Sequence, residues 1–503
     1  MPLEQAELKQ NENKTLGWRE WEGVNLTSVR TAISDKEWAW LENAIPIGGG
    51  NVRLVPGKTD LTTSGVALPA TISRFYGFVL AGTPIFMVIG ADGSVVQVNV
   101  TTGVVTAVAA AATVTVNARM TMWQDTHILV IDSTGYFSWD GTTWAVAVAA
   151  VTGSAIAVFE GRAWIKTGRR TIQWTAPLTY NDVTVAAGAG SKVLTDPVFV
   201  GDIMNLLPAL QQLWVIGEGA VNAISNVQTL GTPFVTTFND TNIVSSVGSN
   251  FPASVSTFFR TIVFLTQYGV YAIVGATPQK LSDKLDGLFP DLTLTADCPY
   301  AIGTVHNVFI WAVLVPYVPP LTGVGAARRL LLCFAQGKWF FASLTGLTWI
   351  GSVVIDGQPT IWGTTGTTLT RLFADATVPV TYTAKSKLFD FGDSTQVKLM
   401  NHVGLEFSSE HVVTPTLQVE NETVQQAVPV TAANLITWMG LGPIVFSGAA
   451  ALTWVKAGLQ MVRWARDLGM RGRYLGYTLS GTEPVWTLSG AAMEVRAGGK
   501  WQN

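Results

Sequence analysis

From about residue 70 to 380 one pattern recurs: a short run of β-branched or aromatic residues, a glycine-containing turn, then a second such run. "PIFMVIGADGSVVQVNVTTGVVTAV", "HILVIDSTGYFSWDGTTWAV", "LQQLWVIGEGAVNAISNV" and "TIVFLTQYGVYAIVGATPQKL" are four of its copies. Short apolar runs bounded by Asp-Gly, Thr-Gly, Gly-Glu-Gly or Tyr-Gly form β-hairpins, because these residues accept the positive φ of tight turns. The hairpins return every ~40 to 50 residues, the period of a four-stranded propeller blade. Aromatic residues near the turns mark the phase: Tyr136/Trp139, Trp164/Trp174, Trp214, Tyr268/Tyr271, Trp339 and Trp349/Trp362. The pattern predicts an all-β chain built on a six-bladed β-propeller. Its blades are placed at 70–112, 113–150, 151–200, 201–252, 253–298 and 299–348, with 349–378 helping to close the ring. No strict dipeptide signature repeats at one register, so a stacked array of β-sandwiches is the competing architecture.

The flanks read differently. Residues 379–503 alternate in strand fashion through "VTYTAKSKLFDFGDSTQVKLMNHVGLEFSSE", "MVRWARDL", "RYLGYTLS" and "PVWTLSGAAMEVRAGG", which predicts a C-terminal antiparallel β-sandwich-like domain. Residues 1–69 read as a short N-terminal arm and entry strand. Within it "SDKEWAWLENAIP" predicts a helix, with Ser34 as its cap, Glu37 as the capping-box partner and Pro46 as the stop. The expected organisation is therefore 1–69, 70–378 and 379–503.

Charged residues make up 13% of the chain, against roughly 25% in ordinary soluble domains, and hydrophobic residues 48%. That balance excludes disorder. The charge-free run "GTTWAVAVAAVTGSAIAVFE" is broken by Thr152-Gly153-Ser154, so it predicts two buried strands and not the ~20 continuous apolar residues of a spanning helix. No membrane insertion is expected. The N-terminal residues lack the apolar core of a secretory signal, which points to a cytoplasmic origin. Cys298 and Cys333 read as buried reduced thiols.

An enzyme needs its reacting groups, and the sequence supplies no recognisable set. His127, His306, His402 and His411 form no HExxH or HxH pair. No GxSxG elbow or P-loop occurs, and "GVGAARR" (323–329) lacks the third glycine of a dinucleotide loop. Asp132, Glu160, Asp202, Glu218 and Asp283 lie near strand ends, but a propeller glycosidase needs two carboxylates about 5 to 9.5 Å apart. Turn formation is the simpler use for them. No catalytic, cofactor or metal residue is assigned.

The charge distribution singles out the C-terminus. Residues 381–450 carry three basic and six acidic side chains, whereas 451–503 carry seven basic and three acidic. "RWARDLGMRGRYLGYTLS" (463–480) sets Arg463, Arg466, Arg471 and Arg473 beside Trp464, Tyr474 and Tyr477, a mixture that nucleic-acid binders also use. Asp467 and Glu483 offer nearer partners, and Arg–carboxylate pairing is the simpler reading. Gly469 and Gly472 predict a turn over Met470-Arg471, making the stretch a charged hairpin.

The opening "GVNLTSVRTAISDKEWAWLENAIPIGGGNVRLVPG", the "KLFDFG" strand and the closing "GMRGRYLG" resemble the tail-nozzle or packaged-DNA-stabilisation proteins of short-tailed bacteriophages. The resemblance spans the whole chain, although the middle matches only in type. It implies a structural virion protein assembled in the host cytoplasm, with a hexameric ring beneath the portal and its adaptor. The ring would continue the DNA channel, pass DNA without binding it specifically, and retain the genome until ejection; a tail fibre or needle is a further implied partner. The candidate assembly residues are Trp18, Trp21, Arg463, Arg466, Arg471, Arg473 and Tyr474, since Trp, Tyr and Arg dominate interface hot spots. Burial of the two tryptophans in the chain's own core is the alternative. The glycine- and proline-containing excursions 186–202 and 316–329 are the candidate gate loops. The competing function is a phage propeller that binds or hydrolyses host-surface glycans.

Overall fold

A computed structural model describes residues 13–199, 201–319, 327–409, 415–428, 459–465 and 468–500. Two compact units emerge. One joins 1–58, 334–342 and 373–503; the other joins 59–333 and 343–372.

The second unit is a β-propeller, and it has seven blades. Blade one comprises Ile72–Leu80, Thr83–Gly90, Val95–Asn99 and Val104–Ala109, each strand antiparallel to the next. Arg119–Trp123 opens blade two, Ala155–Phe159 blade three, Ile203–Ala209 blade four and Ser256–Phe258 blade five, and each of these blades again has four strands in meander order. Tyr300–Val305, Val308–Tyr317 and Arg328–Ala335 form blade six. Blade seven comprises Trp349–Ile355, Gln358–Thr364 and Leu369–Asp375, completed by Gly57–Asp60 from the other end of the chain. Propeller and sandwich were both predicted, but the seventh blade corrects the six expected. Residues 349–378 do help to close the ring, and they do so as a blade of their own.

Successive blades pack face to face through apolar side chains. Phe137 and Trp139 of blade two share a core with Met87 and Ile89 of blade one, Trp164 and Trp174 of blade three with Leu206 and Val215 of blade four, and Ile216 of blade four with Phe264 of blade five. Two buried tryptophans of the propeller place their ring N–H groups on polar partners in a neighbouring blade. Trp311 Nε1 of blade six donates to Ser256 Oγ of blade five at 2.8 Å. Trp349 Nε1 of blade seven donates to the Phe75 carbonyl of blade one at 3.1 Å, which closes the circle. The innermost strands of those two blades approach so closely that a side chain on Gly77 would collide with the Ser352 carbonyl. Leu61 N–H to the Leu369 carbonyl (2.8 Å) and Thr370 Oγ1 to Asp60 Oδ1 (2.6 Å) stitch the chain's early residues to its late ones.

The first unit is a β-sandwich. One sheet runs in the order Ala44–Ile47, Asn51–Leu54, Trp486–Lys500, Gln396–Ser409, Leu459–Ala465; Asn13–Trp18 joins it on Trp486–Lys500 and Met470–Gly472 on Gln396–Ser409. The other runs Lys338–Ala342, Trp38–Glu42, Val380–Ser386, Leu475–Glu483, Thr416–Asn421, Gln425–Val428. Aromatic rings fill the space between them. Trp486 meets Tyr382 at 5.0 Å and Phe407 at 5.2 Å, and Trp38 meets Tyr477 at 6.2 Å.

The N-terminal arm is thus no separate piece: its strands up to Asn51–Leu54 belong to the sandwich, and Gly57–Asp60 belongs to blade seven. The predicted helix is two strands, Trp38–Glu42 and Ala44–Ile47. Half of its capping box exists nonetheless: Ser34 N–H donates to Glu37 Oε2 at 3.0 Å, within a turn that never propagates. Burying Trp38, Leu41 and Ile45 in the sandwich overrides the local helical signal. Cys298 and Cys333 are free and buried, and burial pushes the Cys298 thiol up to about 11.

Candidate functional site

Three stretches far apart in sequence converge in the sandwich. Leu388 N–H of "KLFDFG" donates to the Arg30 carbonyl at 3.2 Å, and Phe389 exchanges both backbone hydrogen bonds with Leu475 of "GRYLG" at 2.8 and 3.0 Å. Trp18 lies on Phe389 with ring centroids 4.5 Å apart, and Trp21 packs on Trp38. Trp18 is 8% exposed and Trp21 only 3%. Both tryptophans are therefore core residues, which corrects their assignment as exposed assembly contacts: each has already lost its water to the chain's own aromatics.

Around this junction sit two buried charges that sequence reasoning missed. Glu420 accepts from the Arg30 guanidinium, from Thr478 Oγ1 at 2.8 Å and from Gln425 Nε2 at 2.8 Å. Burial alone pushes its carboxyl up, but these donors outweigh burial and hold it below its ordinary value. Lys398 is fully buried, and its ammonium donates to the carbonyls of Gln396 (3.0 Å), Arg473 (2.9 Å) and Asp393. Its desolvation lowers the ammonium's pKa. Lys398 pins the chain where it crosses from one sheet, at Met470–Gly472, to the other, at Leu475–Glu483.

The C-terminal arginines take different positions. Met470–Gly472 is a strand paired to Lys398–Met400, and the strands on either side belong to different sheets, so the predicted hairpin is corrected to a crossover. Arg463 stands on the strand Leu459–Ala465 opposite Leu405, while Arg466 and Asp467 lie outside the described residues. Arg471 is exposed. Arg473 lies 3.7 Å from Glu422, whose carboxylate also accepts the N–H groups of Arg473 (3.2 Å) and Tyr474 (3.3 Å). Its carboxylate partner is thus Glu422, and Glu483 instead accepts from Tyr382 Oη at 3.2 Å. Part of the opposite charge in 381–450 and 451–503 meets inside the chain.

In the propeller, antiparallel order divides the connections between two ends of the ring. First-to-second and third-to-fourth strand turns share one end; second-to-third turns and blade-to-blade connections share the other. Glu160 falls in a first-to-second turn, away from the remaining carboxylates. Asp132 is buried and accepts from the N–H groups of Thr115, Thr134 and Gly135, so it shapes a turn. Asp202 pairs with Arg169, Glu218 Oε2 accepts the Asp202 N–H at 3.1 Å, and Asp283 begins a short 3-10 turn.

The excursion 186–202 contains the outer strand Gly190–Val193 and buries Leu194 and Phe199 in the core between blades three and four. The other excursion joins Val308–Tyr317 to Arg328–Ala335, and residues 320–326 within it lie outside the described residues. His127 packs on Tyr180 and His402 lies 3.3 Å from Glu494; His306 occupies a turn, and His411 is outside the described residues. Among the described residues no three metal-binding side chains cluster, and no helix is long and apolar enough to cross a membrane.

No family model matches the chain, and no curated protein matches it. Two of the 225 solved chains that resemble it in part illustrate the likeness. One is S. cerevisiae Dbp5 bound to Nup159, Gle1, IP6 and ADP, at 10% identity and a TM-score of 0.34, covering 64% of this chain and 95% of that chain. The other is YCF48 bound to D1 peptide, at 13% identity and a TM-score of 0.37, covering 64% of this chain and 98% of that one. The chain's own strand pairing makes it a β-propeller with an antiparallel sandwich.

Proposed function

We propose that this chain is a structural virion protein of a short-tailed phage, forming a ring that continues the DNA channel below the portal and adaptor and holds the packaged genome until ejection. One observation carries the reading. The three stretches that resemble tail-nozzle proteins, near Arg30, Phe389 and Leu475, hydrogen-bond to one another in a single unit.

Composition agrees with such a role. Each phosphate contact adds affinity, so a conduit for DNA is best served by a lumen without broad basic patches. The net charge of −3 over 503 residues is in keeping with that. A closed ring requires a heterologous interface in which two different surfaces of each copy match. Arg471 is the exposed cation best suited to it, because Arg473 already faces Glu422. Six copies, contact with the portal adaptor and a fibre or needle on the flank complete the proposed assembly.

Arg471→Glu tests the interface without disturbing the Arg473–Glu422 pair. The variant is expected to fold normally and to shift the oligomer toward single chains in sedimentation velocity. Wild-type oligomers from this variant would remove Arg471 from the interface.

A further inference from the structure

Between the ends of blades four and five lies a cavity of about 370 Å³. That volume is near the lower end of the ~300–1,000 Å³ typical of small-molecule sites. Glu218 and Gly219 come from a turn of blade four, Ser246 to Gly248 and Asn250 from the connection between the blades, and Thr266, Gln267 and Tyr268 from a turn of blade five; Tyr271 completes the lining. All of them sit at the end of the ring that carries the blade-to-blade connections.

The walls are fixed before any ligand arrives. Glu218 and Asp202 hold each other, with Glu218 N–H donating to the Asp202 carbonyl and Asp202 N–H donating to Glu218 Oε2, both at 3.1 Å. The blade connection packs so tightly on this turn that a side chain on Gly248 would collide with the Gly217 carbonyl. Ser249 secures it, its N–H donating to that carbonyl at 2.9 Å and its hydroxyl to the Leu265 carbonyl at 2.7 Å. On the opposite wall Thr266 Oγ1 accepts from Tyr268 N–H and donates to the Gly269 carbonyl, both at 3.0 Å. Tyr268 is 74% exposed on this rigid turn. The Asn250 side-chain oxygen is shielded from solvent and has no hydrogen-bond donor. Its broad terminal torsion lets a small rotation bring it to a ligand hydroxyl.

The lining has one carboxylate, two tyrosines, two carboxamides and two hydroxyls, and among these described residues no cation. An aromatic face with convergent donors and acceptors suits a ligand that is apolar on one face and rich in hydroxyls at its edge. Behind Glu218, Asp202 is paired with Arg169, and Lys166 interacts with both carboxylates, but neither cation lines the cavity; the charge that a ligand meets there is Glu218, which disfavours phosphate, nucleic acid and acidic sugars. We propose that this cavity binds an uncharged or N-acetylated hexose unit, stacked on Tyr268 and hydrogen-bonded by Gln267, Asn250 and Glu218. The proposal stands whether or not the chain forms a ring.

The test is calorimetric titration of the full chain with maltotriose, cellotriose and chitotriose, and with a trimer of galacturonate as the anionic control. At least one neutral or N-acetylated trimer is expected to bind with a millimolar or tighter Kd, and the uronate trimer is not. Tyr268→Ala, at an exposed position that leaves the fold intact, is expected to weaken binding at least ~10-fold. Glu218→Gln keeps the hydrogen-bonding geometry and is expected to retain the neutral sugar while admitting the uronate. Absence of binding by all three neutral trimers at 10-fold above ~1 mM, or affinity unchanged in Tyr268→Ala, would overturn the proposal.

Discussion

Glu420 and Lys398 show what single charges do in this molecule. Each is buried, and each is tolerated because several partners satisfy it at once. Glu420 carries a testable sign. Its folded pKa lies below its ordinary value of 4.5, so its contribution is fully present above that value and is lost as pH falls through the folded value. Urea melts of the wild type are expected to lose stability on moving from pH 6 to pH 3, and Glu420→Gln to lose measurably less over the same interval. Equal slopes in the two proteins would show that other carboxylates govern acid sensitivity. At neutral pH the substitution is expected to cost about 3 kcal/mol, because Arg30 then lacks its buried partner. Neither charge was legible in the sequence. The partners of Glu420 come from residues as far away as Arg30 and Thr478, and no local spacing records them.

The elements show where sequence signals work and where packing overrides them. Glycine-marked turns such as "ADGS" and "TQYG" revealed the hairpins, and the aromatic phase revealed the blades. First-to-second strand turns were less visible. Leu210-Gln211 and His306-Asn307 adopt positive φ without glycine, at 53° and 60° and at 50° and 62°. The blade imposes that geometry, since a two-residue connection between twisted antiparallel strands requires left-handed residues. Such strain is costly for leucine, so Leu210→Asn with Gln211→Gly is expected to raise stability by about 1 kcal/mol, seen as a higher Tm. An unchanged or lower Tm would mean that the Leu210 side chain contributes more than its exposure indicates. The blade count fell short by one for a related reason: blade seven takes its fourth strand from residues 57–60, some three hundred positions earlier. A period read along the chain cannot register such a blade. The cavity between blades four and five was equally hidden, although Glu218, Tyr268 and Tyr271 had each been noticed for other reasons. What joins them is blade packing, and no motif encodes it.

At the scale of the whole molecule, the chain builds a propeller from its middle and a sandwich from both ends together with the strand Lys338–Ala342. Gly57–Asp60 passes from one to the other, and Leu61 and Asp60 tie the first blade's approach to the last blade. The sandwich gathers the opening, "KLFDFG" and "GMRGRYLG" stretches on which the proposed likeness to nozzle proteins rests, which is why assembly is proposed to reside there. Its N-terminal strands explain the displaced domain boundary: residues 13–54 look like an isolated arm only until the C-terminal strands that they pair with are in place. Copies of this chain are proposed to close into a ring around an open channel. Electron microscopy of the purified protein is the decisive check. Closed rings with six-fold symmetry and a central channel are expected in averaged images; single particles lacking any channel at concentrations well above micromolar would rule the ring out.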